Sequence, residues 1–287
     1  MSRPRNDSPN QRSSQRSSHG IVVTGASSGI GRAIAIQLAK SEHTAGLRGR
    51  FLVHFRNNRA GAESTAESIR ELGHHVETVS ADLAKPAEVD HLAELAFTRL
   101  GTIQTWVNNA GVDVLTGDAA NWSFEEKLQK LLAVDVQGTI RLSRSVGDRL
   151  LQQAQTQHSS QMLPPAMVFI GWDQAPMGME GDAGLMFGPV KAAVMAFSAS
   201  LAQTLAPHVR VNTVSPGWIQ TAWGESTHGY WDQRATGQSL MNRWGRPEDI
   251  AEAVAYLTQP SNSFVTGQNL NVNGGWNRRF DVPTTDQ

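Results

Sequence analysis

The 287-residue sequence contains no cysteine. That excludes disulfides, thiolate metal sites, thioether-linked haem and a cysteine nucleophile, and it allows a reducing cytoplasm, where the protein is expected. An excess of one charge is also lacking. Basic and acidic side chains number 25 and 26, a formal net charge of −1, so total charge favours neither nucleic acid nor an anionic membrane as partner. The nine histidines include the adjacent pair His74 and His75 but show no ligand spacing such as H-E-x-x-H, and no metal is expected. No long apolar run and no fixed-period repeat stands out, so neither a membrane segment nor a repeat array is expected. Between Ser2 and His19 aliphatic and aromatic side chains are missing altogether. Such a stretch cannot bury enough surface to offset its ordering entropy, so residues 1–19 are expected to be a disordered arm with Arg3, Arg5, Arg12 and Arg16 solvated. Residues 280–287 are expected to form a tail.

What is present is an ordinary globular composition, 39% hydrophobic and 18% charged. Short β-rich apolar runs occur at Ile21–Val23, Phe51–Val53, Val76–Val79, Ile103–Val107, Met167–Ile170, Val209–Val214 and Leu270–Val272. Segments with helical spacing lie between them, such as Ile30-Ile34-Leu38, Val89-Leu92-Ala96 and Leu128-Leu131-Leu132-Asp135-Ile140. Alternation of this kind demands right-handed crossovers and helices on both faces of the sheet. The expected fold is a single α/β domain, a doubly wound parallel sheet of about seven strands, over residues 20–279.

The first run leads into Thr24-Gly25-Ala26-Ser27-Ser28-Gly29-Ile30-Gly31 and then a helix. Glycines at this turn let backbone N–H groups approach a pyrophosphate, whose charge the helix N-terminus favours. This motif, with Asn108-Asn109-Ala110-Gly111, Arg210-Val211-Asn212-Thr213-Val214-Ser215-Pro216-Gly217, Arg246-Pro247-Glu248-Asp249-Ile250 and Val272-Asn273-Gly274-Gly275, resembles the short-chain dehydrogenase/reductase family over nearly the whole chain after the arm. The resemblance implies a Rossmann-like, seven-stranded fold, a homodimer or homotetramer, a small-molecule substrate, and NAD(H) or NADP(H) at the carboxyl ends of the strands.

By position, it places Gly25, Ser27, Ser28, Gly29, Ile30 and Gly31 at the pyrophosphate, Asp82 and Leu83 at the adenine, and Asn109, Ala110 and Gly111 on the adenosine side. Lys191, Pro216, Gly217, Ile219 and Thr221 fall at the nicotinamide end. Asp82 also reads as a simple helix cap. After the second strand, Arg56-Asn57-Asn58-Arg59 offers no carboxylate for ribose hydroxyls. A guanidinium binds phosphate through two parallel hydrogen bonds, so NADP(H) is preferred over NAD(H), with Arg56 first and Arg59 second. The long segment from Ser41 to Arg50, read as a loop, blurs that register.

The chemistry expected of the family is altered. Its catalytic tyrosine precedes a lysine by four residues, and here Phe187 precedes Lys191. The family's serine position falls on Trp172 when the strand end is aligned, or on Gln174 when thirteen residues are counted back from Phe187. The relay asparagine becomes Asp135 in Val134-Asp135-Val136-Gln137-Gly138. An Asp135–Lys191 ion pair across neighbouring helices is physically reasonable. Replacement acids are Asp173, Asp135 and Tyr230, one of only two tyrosines. Trp218, Trp223, Trp231 and Trp244 crowd the segment the family uses as a substrate lid. With Trp172 they form either an aromatic pocket for an apolar substrate or a plug. Two functions stand open: an NADP(H)-dependent oxidoreductase with an atypical site, and a non-catalytic NADP(H)-binding sensor or subunit.

Overall fold

Alternate residues of a parallel strand face opposite layers, so a sheet covered on both sides needs strands that are apolar throughout. The first strand, β1 (Gly20–Val23), is buried at every position. Ile21 and Val23 enter one core with Ile34, Phe51, Ile250 and Val254. Val22 enters the other with Leu52, Leu92, Trp106 and Val146.

The computed structural model describes residues 19–156, 164–227 and 229–278. The expected arm up to residue 18, and the tail, lie outside the described residues. After β1 come α1 (Gly29–Thr44), β2 (Arg50–Phe55), α2 (Arg59–Glu71), β3 (His75–Ser80), α3 (Pro86–Leu100) and β4 (Ile103–Asn108). A 3₁₀ turn (Gly117–Asn121), α4 (Phe124–Leu131), a π-helical turn (Leu132–Gly138) and α5 (Thr139–Thr156) follow. The second half holds β5 (Ala166–Ile170), α6 (Gly181–Leu205), β6 (Arg210–Pro216), α7 (Ala222–Ser226), α8 (Tyr230–Gln238), α9 (Pro247–Thr258) and β7 (Asn269–Val272). All pairings are parallel, in the order β3-β2-β1-β4-β5-β6-β7. The chain therefore reverses its direction of winding between β1 and β4, the switch point at whose carboxyl edge doubly wound sheets bind ligands.

Two expectations change. The segment from Ser41 is not a loop: α1 continues to Thr44, and Arg50 pairs with Gly20. The start of β2 is thereby fixed, and Arg56 stands directly beyond its end. A long apolar helix does occur, since α6 has the length and apolarity of a membrane span. Its Val194, Leu201, Ala202 and Leu205 sit in the sheet core, and Met186 and Val190 in a smaller cluster with Leu131. Its apolarity is that of a helix built into the fold.

Candidate active site

The glycine turn joins β1 to α1. Gly25 has φ +64°, and a Cβ there would stand 2.7 Å from the Ala110 Cα. At Gly31 a Cβ would lie 2.2 Å from the Gly25 carbonyl oxygen and 2.3 Å from Asn109 Nδ2. Only glycine allows both approaches. Asn109 Nδ2 donates to the carbonyls of Thr24 (3.0 Å) and Gly25 (3.1 Å). The Thr24 hydroxyl accepts from the backbone N–H groups of Asn109 and Ala110, each at 3.0 Å. These bonds pin the ends of β1 and β4 together at the switch point. No side chain caps α1, so its first N–H groups have no side-chain acceptor and suit an anion.

His54, which sequence reasoning passed over, holds the same turn from the other side. Its Nδ1 accepts from Gly25 N–H (3.1 Å) while Nε2 meets the Ala81 carbonyl (3.0 Å), the pattern of a neutral ring protonated at Nε2. The ring is buried, and burial lowers its pKa to about 4. One imidazole thus ties the ends of β1, β2 and β3. A histidine in an apolar strand carries no mark in the sequence that separates this role from core packing.

Two chambers open along this edge. The first, about 350 Å³, is lined by Gly25, Ser27, Ser28, Arg56, Asn57, Asp82, Leu83, Asn109, Ala110 and Gly111, together with His54. Asp82 lines it, and its Oδ1 accepts the Ala84 N–H in a local turn (3.0 Å) rather than capping α3, whose N-cap is Lys85. The second chamber, about 460 Å³, is lined by Ile30, Asn109, Lys191, Pro216, Gly217, Ile219 and Thr221, with Trp172 and Phe187 beside Lys191 and Trp218, Trp223, Trp231 and Trp244 across from the sheet edge. Asn109 belongs to both.

Several residues stand elsewhere than expected. Gly31 is buried and Gly29 (φ +52°) shapes the turn; neither lines a chamber. Ile30 faces the second chamber rather than the first. The Arg59 guanidinium lies over the Phe55 ring at 5.4 Å, outside the first chamber's wall. Tyr230 is 61% exposed on α8 and accepts a hydrogen bond from Arg234 (3.1 Å); it does not line the second chamber. Asp173 and Gln174 are buried behind that chamber's wall, so of the two alignments for the serine position only Trp172 faces the cavity. Burial, against the opposing hydrogen bond from Asn273 Nδ2 (2.9 Å), raises the Asp173 pKa to about 6.

Asp135 occupies the π-helical turn. Such turns insert one residue and re-aim a side chain. Its Oδ2 accepts from Lys191 Nζ at 3.1 Å, and its Oδ1 from Val112 N–H at 2.9 Å. A Cβ on Gly111 would stand 2.7 Å from Oδ2, so Gly111 leaves room for the pair.

The tryptophans are packed on one another. Trp218 lies 6.3 Å from Trp223, 5.7 Å from Trp231 and 6.1 Å from Trp244 between ring centroids. Arg234 stacks over Trp218 and Trp231, 5.6 Å from each centroid, and forms a bidentate pair with Glu180 just before α6 (2.5 and 3.0 Å). The chamber they surround is open, so Trp172 and Phe187 wall it rather than plug it.

The sheet, its switch point and the glycine turn define a dinucleotide-binding α/β protein. Residues 25–277 match the family model described as enoyl-(acyl carrier protein) reductase. The chain is 30% identical over 261 residues to an uncharacterized oxidoreductase of Methylorubrum extorquens, covering 88% of this chain and 96% of that one. It is 29% identical over 256 residues to a 3-oxoacyl-[acyl-carrier-protein] reductase of Vibrio cholerae, covering 88% and 95%. The crystal structure of a short chain dehydrogenase from Burkholderia cenocepacia, in complex with NADP, shares the fold at a TM-score of 0.74 and 24% identity, covering 90% and 97%. The chain belongs to the short-chain dehydrogenase/reductase family, a family of oxidoreductases.

Proposed function

We propose that this protein is an NADP(H)-dependent oxidoreductase that transfers hydride to or from an apolar or aromatic small molecule without the family's tyrosine. The observation that carries the proposal is the pair of chambers meeting at Asn109, with Lys191 at the wall of the second. NADP(H) supplies the hydride when bound. The uncapped α1 and the turn at Gly25 suit a pyrophosphate. Arg56, on the wall of the first chamber, suits a ribose 2′-phosphate, and no carboxylate follows β2 to accept from a free 2′-hydroxyl. Lys191, held by Asp135, is positioned to donate to ribose hydroxyls. The tryptophans line the reacting centre with apolar surface.

The second chamber contains no hydroxyl acid among the described residues other than Thr221, and this favours a second reading, a non-catalytic NADP(H) sensor or subunit. Its open volume favours turnover. A homo-oligomer is part of the proposal, supported by the fully exposed Phe264 and the edge strand β7, and so is a cytoplasmic setting. The test is a tryptophan-fluorescence titration with NADPH and NADH, repeated on Lys191→Ala. Saturable NADPH binding, weaker for NADH and weakened by the substitution, is the expected result; absence of binding by either nucleotide defeats both readings. A panel of carbonyl and imine substrates then separates enzyme from sensor.

A further inference from the structure

Among the described residues the second chamber is lined by no tyrosine, histidine or carboxylic acid, and it is rich in aromatic rings. Lys191 is its only ionisable lining residue among those described, and in the reading above that ammonium serves Asp135 (3.1 Å) and the ribose hydroxyls. Reducing a carbonyl places negative charge on oxygen, which an acid must quench; such an acid is worth about 10² to 10⁴ in rate. A substrate that becomes neutral on accepting hydride has no such need.

We infer that the substrate is an aromatic or alicyclic iminium cation, held against the tryptophan faces and reduced to an amine. The inference rests on the hydride-transfer reading above and specifies its substrate. In the step, the iminium carbon gains a C–H bond and the C=N π pair becomes the lone pair on nitrogen. The hydrogen arrives with its electron pair from the dihydronicotinamide C4, whose C–H bond breaks as that ring is oxidised to its cation. One positive charge leaves the substrate and one appears on the nicotinamide, and no proton moves.

Three features of the chamber favour a cation. Indole faces attract cations more strongly than other aromatic side chains do, and Trp172, Trp218, Trp223, Trp231 and Trp244 all line the cavity. Arg234 is already stacked on two of these rings, at 5.6 Å from Trp218 and from Trp231, so the cluster accommodates a planar cation on its outer side. The Trp244 indole N–H donates to the Asp232 carboxylate (2.9 Å), which enriches that ring in electron density.

The charge balance runs the same way. Lys191 is compensated by Asp135 and Arg234 by Glu180. No cation pairs with Asp173 among the described residues: its Oδ2 takes an amide hydrogen bond from Asn273 (2.9 Å), and backbone N–H groups at Asp173 and Gln174 are the other groups that favour its charged form. A Cβ added to Gly217 would come within 3.3 Å of that Oδ2, so the carboxylate backs onto a wall of the chamber. With its pKa at about 6 it is ionised at neutral pH. A buried anion with no paired cation, behind an aromatic cavity, favours a cation within it.

The experiment uses the full-length protein and two bicyclic probes of similar size, the permanent cation N-methyl-3,4-dihydroisoquinolinium and the neutral ketone 1-tetralone. NADPH binding is measured first by fluorescence. Calorimetry then measures each probe on the protein loaded with a redox-inert tetrahydro analogue of NADPH, whose nicotinamide ring is uncharged, and NADPH consumption is followed with each. The expected result is cation binding at least about tenfold tighter than ketone binding, with amine formed from the cation and no alcohol from the ketone. The isosteric Asp173→Asn should weaken the cation several-fold and leave the ketone unchanged. If NADPH binds normally but the ketone binds as tightly as the cation, or the bound cation is not reduced, the iminium assignment is overturned and the nucleotide reading survives. If NADPH does not bind, both fall.

Discussion

Lys191 Nζ lies 3.1 Å from Asp135 Oδ2, and the same carboxylate accepts the Val112 N–H through its other oxygen. The pair joins α6 to the loop after β4 and fixes the lysine on the chamber wall. With side-chain exposures of 18% and 4%, it falls between a surface bridge and a fully buried one. Asp135→Ala is therefore expected to cost about 2 to 3 kcal/mol of stability, below the usual loss for a fully buried pair. NADPH affinity should drop about tenfold, because a lysine without its anchor gives up roughly one well-placed charged hydrogen bond. Asp135→Asn keeps the acceptor for Val112 and should cost less. Urea unfolding and fluorescence titration measure the two effects separately, and a full-strength nucleotide affinity in Asp135→Ala would show that the pair does not position Lys191.

Arg56 is the one Lys or Arg on the wall of the first chamber among the described residues, because Arg59 is drawn away to the Phe55 ring. Arg56→Ala should weaken NADPH by about ten- to a hundredfold, the value of a charged hydrogen bond to phosphate, and leave NADH within about twofold. Arg59→Ala should change neither by as much. Parallel titrations of the two variants decide it; equal losses for NADPH and NADH at Arg56 would mean that no 2′-phosphate is read there.

Much of this geometry is legible in the sequence, and the unreadable part has a physical cause. The strands are legible because a parallel sheet covered on both faces forces continuous apolar runs, as in Phe51–Val53. The glycine turn is legible because the approach of Gly25 to Ala110 and of Gly31 to Gly25 tolerates no side chain. The Asp135–Lys191 pair could be anticipated because the family resemblance sets these two residues at facing positions on neighbouring helices. His54 could not, since its two partners, Gly25 and Ala81, lie just past the ends of β1 and β3 and only the three-dimensional register brings them together. Asp173 and Trp172 are sequence neighbours with opposite fates: in the turn that follows β5 one side chain enters the chamber and the other is buried behind it, which strand periodicity does not predict. The exposure of Tyr230 depends on the way α8 lies against Glu180 through Arg234, a tertiary contact that local spacing does not encode.

Phe187 and Trp172 both face the second chamber beside Lys191. Introducing Phe187→Tyr with Trp172→Ser should therefore place hydroxyls where a carbonyl oxygen would lie, and carbonyl reductase activity should rise by about 10² to 10⁴, the ordinary contribution of a positioned acid. Phe187→Tyr alone should give part of that gain. NADPH oxidation with 1-tetralone and related ketones is the readout. A double variant that binds NADPH with wild-type affinity and remains inert would show that more than these two groups separates this site from a carbonyl reductase.

His54 and Asp173 should shape the pH dependence of stability in opposite directions. His54 has its pKa lowered by burial from 6.5 to about 4, so between those values the unfolded chain binds more protons than the folded one. Stability is then lost as pH falls from about 6.5 to 4, by roughly 3 kcal/mol in total. Asp173 has its pKa raised by burial from 3.8 to about 6, so in that window the folded chain binds more protons. Its contribution is lost as pH rises from about 4 to 6, by a similar roughly 3 kcal/mol. The two slopes oppose each other, and the wild-type profile should be nearly flat between pH 4 and 6 as far as these groups are concerned. Asp173→Asn retains an acceptor for Asn273 and removes the charge. It should match the wild type near pH 4 and exceed it by up to about 3 kcal/mol at pH 7.5, with the acid-side loss from His54 now uncovered. Urea midpoints at pH 4.5, 5.5, 6.5 and 7.5 test this. A stability difference that does not change with pH would mean that Asp173 is ionised in the folded protein throughout, and the gain at neutral pH would then need another source.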